Sequence, residues 1–305
     1  MEEHNGELTP PRRHRPSRGR VWARRAVFAV IVVAALVAAA WAGAALVRGE
    51  DDPPPTVPTV APLQVLRIIF PEGFTRKEMA DRVDAVRKIA ISKRHVTPRL
   101  TRSGYIAATS TARPPAEFRK DWPGDRIEGF LFPATYEFTK LTTAKKLVSD
   151  QLVHFREQWR KVNLRYAKSK NLTPYDVLII ASMVEKETVA PEERKLVAAV
   201  IYTRLRNRMP LGIDATIRYG LDVPGTEPLK KSDIESNNPY NTRRRLGLPP
   251  TPISNPGLAS MRAAARPANV DYLYFVRKPD GVHHFFTASE SEFCAKSLEY
   301  GFGGC

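Results

Sequence analysis

The sequence holds only two cysteines in 305 residues. That is too few to staple a chain of this length, so a disulfide scaffold is excluded. It has no G-x-S-x-G, no H-E-x-x-H, no phosphate-loop pattern and no G-x-G-x-x-G at a strand-to-helix turn. The common nucleophile, zinc and dinucleotide signatures therefore do not apply. There is no internal repeat. Acidic residues are scarce, 32 against 48 Lys+Arg, for a net charge of +16. Apolar residues are not scarce: 43% hydrophobic and 9% aromatic content excludes a chain disordered throughout. A mean hydropathy of −0.34 excludes a polytopic membrane protein. The length suits one large domain or two smaller ones with appendages.

One long apolar run is present. Residues 26–47 read AVFAVIVVAALVAAAWAGAALV without a charge, and at about 1.5 Å per residue they span roughly 33 Å, enough to cross a bilayer. Arg12, Arg13, Arg15, Arg18, Arg20, Arg24 and Arg25 precede the run. By the positive-inside rule residues 1–25 are a basic cytoplasmic tail and the remainder lies outside. A cleaved signal peptide is the competing reading, but the run is long for one and starts late. The expectation is a single-pass anchor in the cell membrane, held by lipid along 26–47. From Arg48 onward 41 Lys+Arg face 29 acids, so the exterior is basic and suits anionic surroundings. Nucleic acid is set aside as a partner, because a head outside the membrane does not meet it.

Residues 48–62 include DDPPPTVPTVAP, a proline-rich spacer. The head follows, and an α+β class is expected. Leu66–Phe70 reads as a strand. Thr75–Ile91 reads as a helix, with Met79, Val83, Val86 and Ala90 as its apolar spacing and Thr75 and Glu78 as a capping box. Residues up to about 125 are basic and weakly patterned, and Ile127–Phe138 is strand and loop. Thr143–Tyr166 reads as helical. Thr173 caps a buried helix with Pro174 at its first position. A second helix opens at Pro191 with Glu192 and Glu193 and closes with Arg204, Arg206 and Arg208, matching the macrodipole. Leu211–Pro256 reads as a long functional loop. Tyr272–Val276 and His283–Thr287 flank a Pro-Asp-Gly turn, as a hairpin does. The divisions are thus 63–126 for a small α/β part and 127–305 for the catalytic part. Cys294 and Cys305 stand close enough for a local disulfide, and no metal-ligand spacing involves them.

The most unusual feature is VEKET, Val184–Thr188, at the end of the buried helix. Advancing about 100° per residue from Val177 puts Glu187 at about 280°, between Ile180 and Met183, and Glu185 near 80°. Glu187 is then the carboxylate nearer the apolar stripe, and desolvation there favours the protonated form that a general acid needs. The bland alternative is a helix end whose acids face water. Asp214 sits in a glycine-flanked loop, where a turn or capping role is as natural as chemistry. Tyr240, Asn241 and Thr242 offer a phenol, an amide and a hydroxyl suited to sugar hydroxyls, or simply form a turn. Glu128, beside three aromatics, is a candidate second acid in a ring-lined cleft, or a solvated strand edge. His283 and His284 point opposite ways in a strand, which argues against a shared metal.

Taken in order, IEGFLFP, ASMVEKET, PEERKLVAAVIYTRL, IDATIRYG, PYNT, GLPPTPISNPG and ARPANVDYLYFV closely resemble the endolytic murein transglycosylase (YceG-like) family. The resemblance runs from about Leu66 to Glu292. It implies a single-pass membrane enzyme that cuts peptidoglycan strands internally, with a lysozyme-like helical cleft, short β-hairpins and no cofactor or metal. It makes Glu187 the catalytic acid. It carries Asp214, Tyr240, Asn241 and Thr242 over as substrate-contacting groups, with Glu128 kept beside them from the residue reading. It also implies peptidoglycan synthases as partners. Two positions depart from the family pattern: Arg243 stands where Tyr commonly follows PYNT, and Thr251 replaces the glycine of GLPPGPI. The LysM-like module of many relatives is expected to be absent or much reduced. The expected reaction is non-hydrolytic cleavage of the MurNAc–GlcNAc bond, leaving 1,6-anhydro ends. The alternatives are a hydrolytic muramidase and a catalytically impaired glycan-binding scaffold.

Overall fold

A computed structural model describes residues 18–47, 63–124 and 126–303. The spacer, most of the basic tail and Cys305 lie outside the described residues. The chain divides at Pro62 into two units, each taken by itself.

The first unit contains helix α1, Arg18–Val47. Its stretch Arg25–Ala45 is long and apolar enough to cross a membrane, and large side chains such as Phe28, Ile31, Leu36 and Trp41 are exposed. A helix with apolar side chains exposed all round suits an apolar medium such as a bilayer core.

The second unit, from Leu63 onward, is mixed helix and strand. In chain order it holds β1 (Leu66–Ile69), α2 (Arg76–Arg94), α3 (Arg102–Thr111), β2 (Thr135–Phe138), α4 (Ala144–Trp159), α5 (Arg165–Ser169) and α6 (Pro174–Glu187). These are followed by α7 (Arg194–Arg206), α8 (Asp214–Leu221), α9 (Lys231–Ile234), α10 (Leu258–Ala265), β3 (Tyr274–Arg277), β4 (His284–Thr287) and α11 (Glu290–Glu299). Single turns of 3₁₀ helix stand at Ala116–Phe118 and Pro191–Glu193.

The strands make two antiparallel pairs. β3 and β4 are the expected hairpin, with Tyr274 opposite Thr287 and Arg277 opposite His284. β1 instead pairs with the distant β2, Leu66 opposite Phe138 and Ile69 opposite Thr135. One core runs from Ile68 and Met79 through Phe118, Phe130 and Phe155 to α6 and α10. It crosses residue 126 without a break, so the division expected there separates no two cores. Cys294 is disulfide-bonded.

The capping box of α2 is present: Thr75 Oγ1 accepts from Glu78 N, and Glu78 accepts from Thr75 N. Three expectations need correction. The weakly patterned stretch before residue 125 contains α3, the long loop from Leu211 contains α8 and α9, and the helix read over Thr143–Tyr166 is interrupted between α4 and α5. α10 and α11 were not anticipated either. Asp214 is therefore the first residue of a helix rather than a loop residue.

Candidate active site around Glu187

The site is built outward from α6. Thr173 accepts from Asp176 N at 3.1 Å and Asp176 accepts from Thr173 N at 2.8 Å, which fixes where the helix starts. Val177 through Val184 are buried, so α6 is the central rod of the head. Buried Ser182 ties it to the segment before α10. Its hydroxyl accepts from Ile253 N at 3.0 Å, and its carbonyl accepts from Ser254 Oγ at 3.1 Å. The rod ends in Glu185 and Glu187, two acids at a helix C-terminus, where the macrodipole disfavours negative charge.

The structure separates these two acids by what they touch. Glu185 is occupied. It accepts from Gly257 N at 2.9 Å, where α10 begins, and stands 3.9 Å from Arg194, whose Nε donates to Ser260. Glu72 lies beside it, its carboxyl pushed above the usual range by burial and by the Glu185 charge. The side chain of Glu185 is only 6% exposed. The helical wheel had placed it away from the apolar stripe, but α6 packs on several sides and α10 covers that face.

Glu187 has far fewer commitments. It is half-buried, and the Ala215 N–H in the first turn of α8 is among the groups that act on it. Its pKa is pushed up to about 7, first by desolvation and then by the Asp214 charge. Arg277, the Ala215 N–H and Arg243 pull the other way. The result is a carboxyl group that can both give and take a proton near neutrality. Asp214 is half-exposed and paired to Arg243, Nε to Oδ1 at 2.6 Å.

The other candidate residues serve the framework. Asn241 is fully buried: its Nδ2 donates to the carbonyls of Ile234 and Ser236, both at 2.8 Å, and its Oδ1 accepts from Arg243 N. Thr242 Oγ1 accepts from Ile213 N at 3.0 Å and bonds Thr216 Oγ1 at 3.0 Å. Tyr240 is buried, its hydroxyl 2.7 Å from Thr251 Oγ1 and its ring edge-on to Tyr219. These three residues do not present free polar atoms to a sugar. Thr242 holds the start of α8, Asn241 holds the end of α9 and Tyr240 braces Thr251, because a buried loop must satisfy its backbone groups internally. Thr251, one of the two departures, has its hydroxyl inside this network.

Glu128 also differs from expectation. It is 3% exposed and accepts from Arg76 N at 2.9 Å, Asn255 Nδ2 at 2.6 Å and Tyr219 OH at 3.2 Å. Burial pushes its pKa up to about 7 against these three donors. It joins α2, α8 and the Asn255 turn rather than lining an open cleft. Sequence reasoning missed Arg277 and Asn255 as neighbours of the site, and it saw Arg243 only as a departure. The Asp214–Arg243 separation of 29 residues carries no periodic signal that could have joined them. A cavity of about 420 Å³ lined by Asn163, Arg165, Tyr166, Ser169 and Arg266 lies beside α5, near where α6 begins and away from Glu187.

The arrangement has counterparts. The YceG-like family profile matches residues 44–297. An endolytic murein transglycosylase of Bacillus subtilis is 35% identical over 155 residues, 51% of this chain and 43% of that protein. One of Streptococcus pneumoniae is 32% identical over 241 residues, 75% of this chain and 42% of that protein. The chain thus spans about two fifths of the length of the curated relatives it matches. The crystal structure of a yceG-like protein from Listeria monocytogenes superposes with a TM-score of 0.62 at 28% identity, covering 79% of this chain and 77% of that one. Because the profile spans nearly all of the described head, from β1 through β4 and most of α11, the chain belongs to the YceG-like family.

Proposed function

We propose that the protein is a membrane-anchored lytic transglycosylase that cuts peptidoglycan glycan strands internally at the MurNAc–GlcNAc bond. The observation that carries this reading is Glu187: a half-buried residue at the end of α6 and beside the N-terminus of α8, whose carboxyl is desolvated and pushed up to about 7. Glu187 protonates the bridging oxygen, the bond to the muramoyl anomeric carbon breaks, and an oxocarbenium-like centre remains. The resulting carboxylate then accepts the proton of the muramoyl C6 hydroxyl, whose oxygen bonds the anomeric carbon. A 1,6-anhydro end forms, Glu187 is protonated again, and no water is consumed.

Hydrolytic retaining and inverting enzymes need a second carboxylate, free to attack or to activate water. Asp214 is tied to Arg243 and Glu128 is enclosed by three donors, which favours the one-carboxylate route over a muramidase. The names of the bacillar and streptococcal relatives point to the same substrate. In this reading glycan binds in a lysozyme-like cleft where the ends of α6 and α8 bring Glu187 and Asp214 together. Helix α1 crosses the membrane once with residues 1–25 in the cytoplasm. Strands reach the head from peptidoglycan synthases in the same membrane.

The test is mass analysis of the ends produced from purified glycan. Wild-type protein is expected to leave anhydro ends, each lighter by one water than a reducing end, and Glu187→Gln to leave strands uncut. Reducing ends alone would establish a muramidase. Undiminished cutting by the Gln variant would remove Glu187 from the mechanism.

A further inference from the structure

Asp214 stands first in α8, where the helix dipole favours a carboxylate without further help. It is nevertheless held from a second segment, by Arg243 Nε at 2.6 Å. That arginine has a fixed backbone: its N–H donates to Asn241 Oδ1 at 3.1 Å, and Asn241 is buried with its amide on two carbonyls. Between them, Thr242 accepts from Gly212 N through its carbonyl and from Ile213 N through its hydroxyl, both at 3.0 Å. Residues 212, 213 and 214 are thus each tied to the segment 242–243. The ion pair itself is 44% and 45% exposed, and exposed pairs add little to folding. Its consequence is local: it determines where the Asp214 charge stands. The charges that act on Glu187 are Asp214, Arg277 of β3 and Arg243, with the N–H of Ala215, which follows Asp214 in α8.

We propose that Arg243 is a positioning residue of the reaction, clamping the Asp214 carboxylate in one orientation beside Glu187 so that the Asp214 charge acts on Glu187 at full strength. The inference rests on Glu187 being the proton donor for its catalytic meaning, though the clamp is a physical arrangement that exists without substrate. Asp214 favours the protonated form of Glu187, while Arg243 and Arg277 favour the ionised form. An Arg243 variant alone changes two things at once, because it removes a cation and also frees Asp214 to turn toward solvent. A double-variant cycle separates them, since the direct effect of the cation cancels.

The experiment titrates Glu187 in the full chain in detergent, as the carboxyl infrared difference between each protein and its Glu187→Gln counterpart. Asp214→Asn is expected to move the Glu187 midpoint down by roughly one pH unit with Arg243 in place. In an Arg243→Gln background the same substitution is expected to move it less than half as far. Arg243→Lys, which keeps the charge but loses the guanidinium fork, is a milder break that keeps the comparison available if the Gln variant folds poorly. The alkaline limb of kcat/KM on glycan is expected to follow the titration in each variant. Equal Asp214→Asn shifts in all backgrounds would overturn the clamp. Because the titration needs no substrate, that result is distinguishable from failure of Glu187→Gln to abolish cutting, which bears on the reaction alone.

Discussion

Two glutamates with a similarly raised pKa have opposite environments. Glu187 and Glu128 are each pushed to about 7 by desolvation, yet Glu128 is enclosed by three donors whereas Glu187 is a half-buried residue beside the start of α8. For Glu187 the folded state holds the proton more tightly than the unfolded chain, whose glutamates titrate near ~4.3. Its contribution to stability is therefore fully present below that value and is lost as pH rises through about 7. Glutamine carries no charge to desolvate. Glu187→Gln is expected to lose roughly 10²–10⁴-fold in cutting rate. Over pH 5 to 8 it should become more stable than wild type, by roughly 1–2 kcal/mol at the upper end. Thermal melts at the two pH values check this, and a lower melting temperature for the variant at pH 8 would contradict it. Glu128→Ala is expected to behave the other way. It strands the Arg76 N–H, the Asn255 amide and the Tyr219 hydroxyl at a cost of roughly 3–5 kcal/mol, visible as a lower urea midpoint.

At the scale of elements, most of what the sequence revealed is what the chain caps locally. α2 and α6 each start with a threonine and an acid three residues on, and both were legible. α8 and α10 were not, because their starts are held from elsewhere. Ile213 offers no side-chain cap and its N–H is taken by Thr242, while Gly257 gives its N–H to Glu185. α3 has a local cap in Thr101, but buries only Tyr105 and Thr109 from its short interior, too little for a periodic signal. The same contrast applies to the site: the wheel sets Glu187 nearer the apolar stripe than Glu185, yet the start of α10 encloses Glu185, and Arg243 and the inward roles of Asn241 and Thr242 likewise depend on tertiary partners. This yields a paired prediction. Thr173→Ala and Thr242→Val should each cost roughly 1–2 kcal/mol in urea unfolding. Only the second should also lower kcat, because it frees the turn that presents Asp214 and Ala215, and Thr242→Ser should restore it. Equal kinetic losses in both would mean that kinetics follow stability rather than the placement of α8.

For the whole molecule, the anchor and the head answer to different solvents. α1 exposes its apolar side chains among the described residues, whereas the unit from Leu63 onward encloses its own core, from Ile68 to α10. A body with a complete core should not depend on the anchor for its fold. Residues 63–305 expressed alone are therefore expected to unfold in one cooperative transition, with the midpoint of the head in the full chain. They should cut purified glycan at the full-chain rate, since the groups around Glu187 all come from α6, α8, β3 and the segment at 243. Under the proposed function, α1 is expected to contribute location alone, by keeping the catalytic unit on the membrane where strands are made. On membranes carrying newly made strands, the detached head should cut more slowly than the full chain at equal concentration, and the gap should close as its concentration is raised. A gap that persists at saturating head would mean that residues 1–62 act on the chemistry itself.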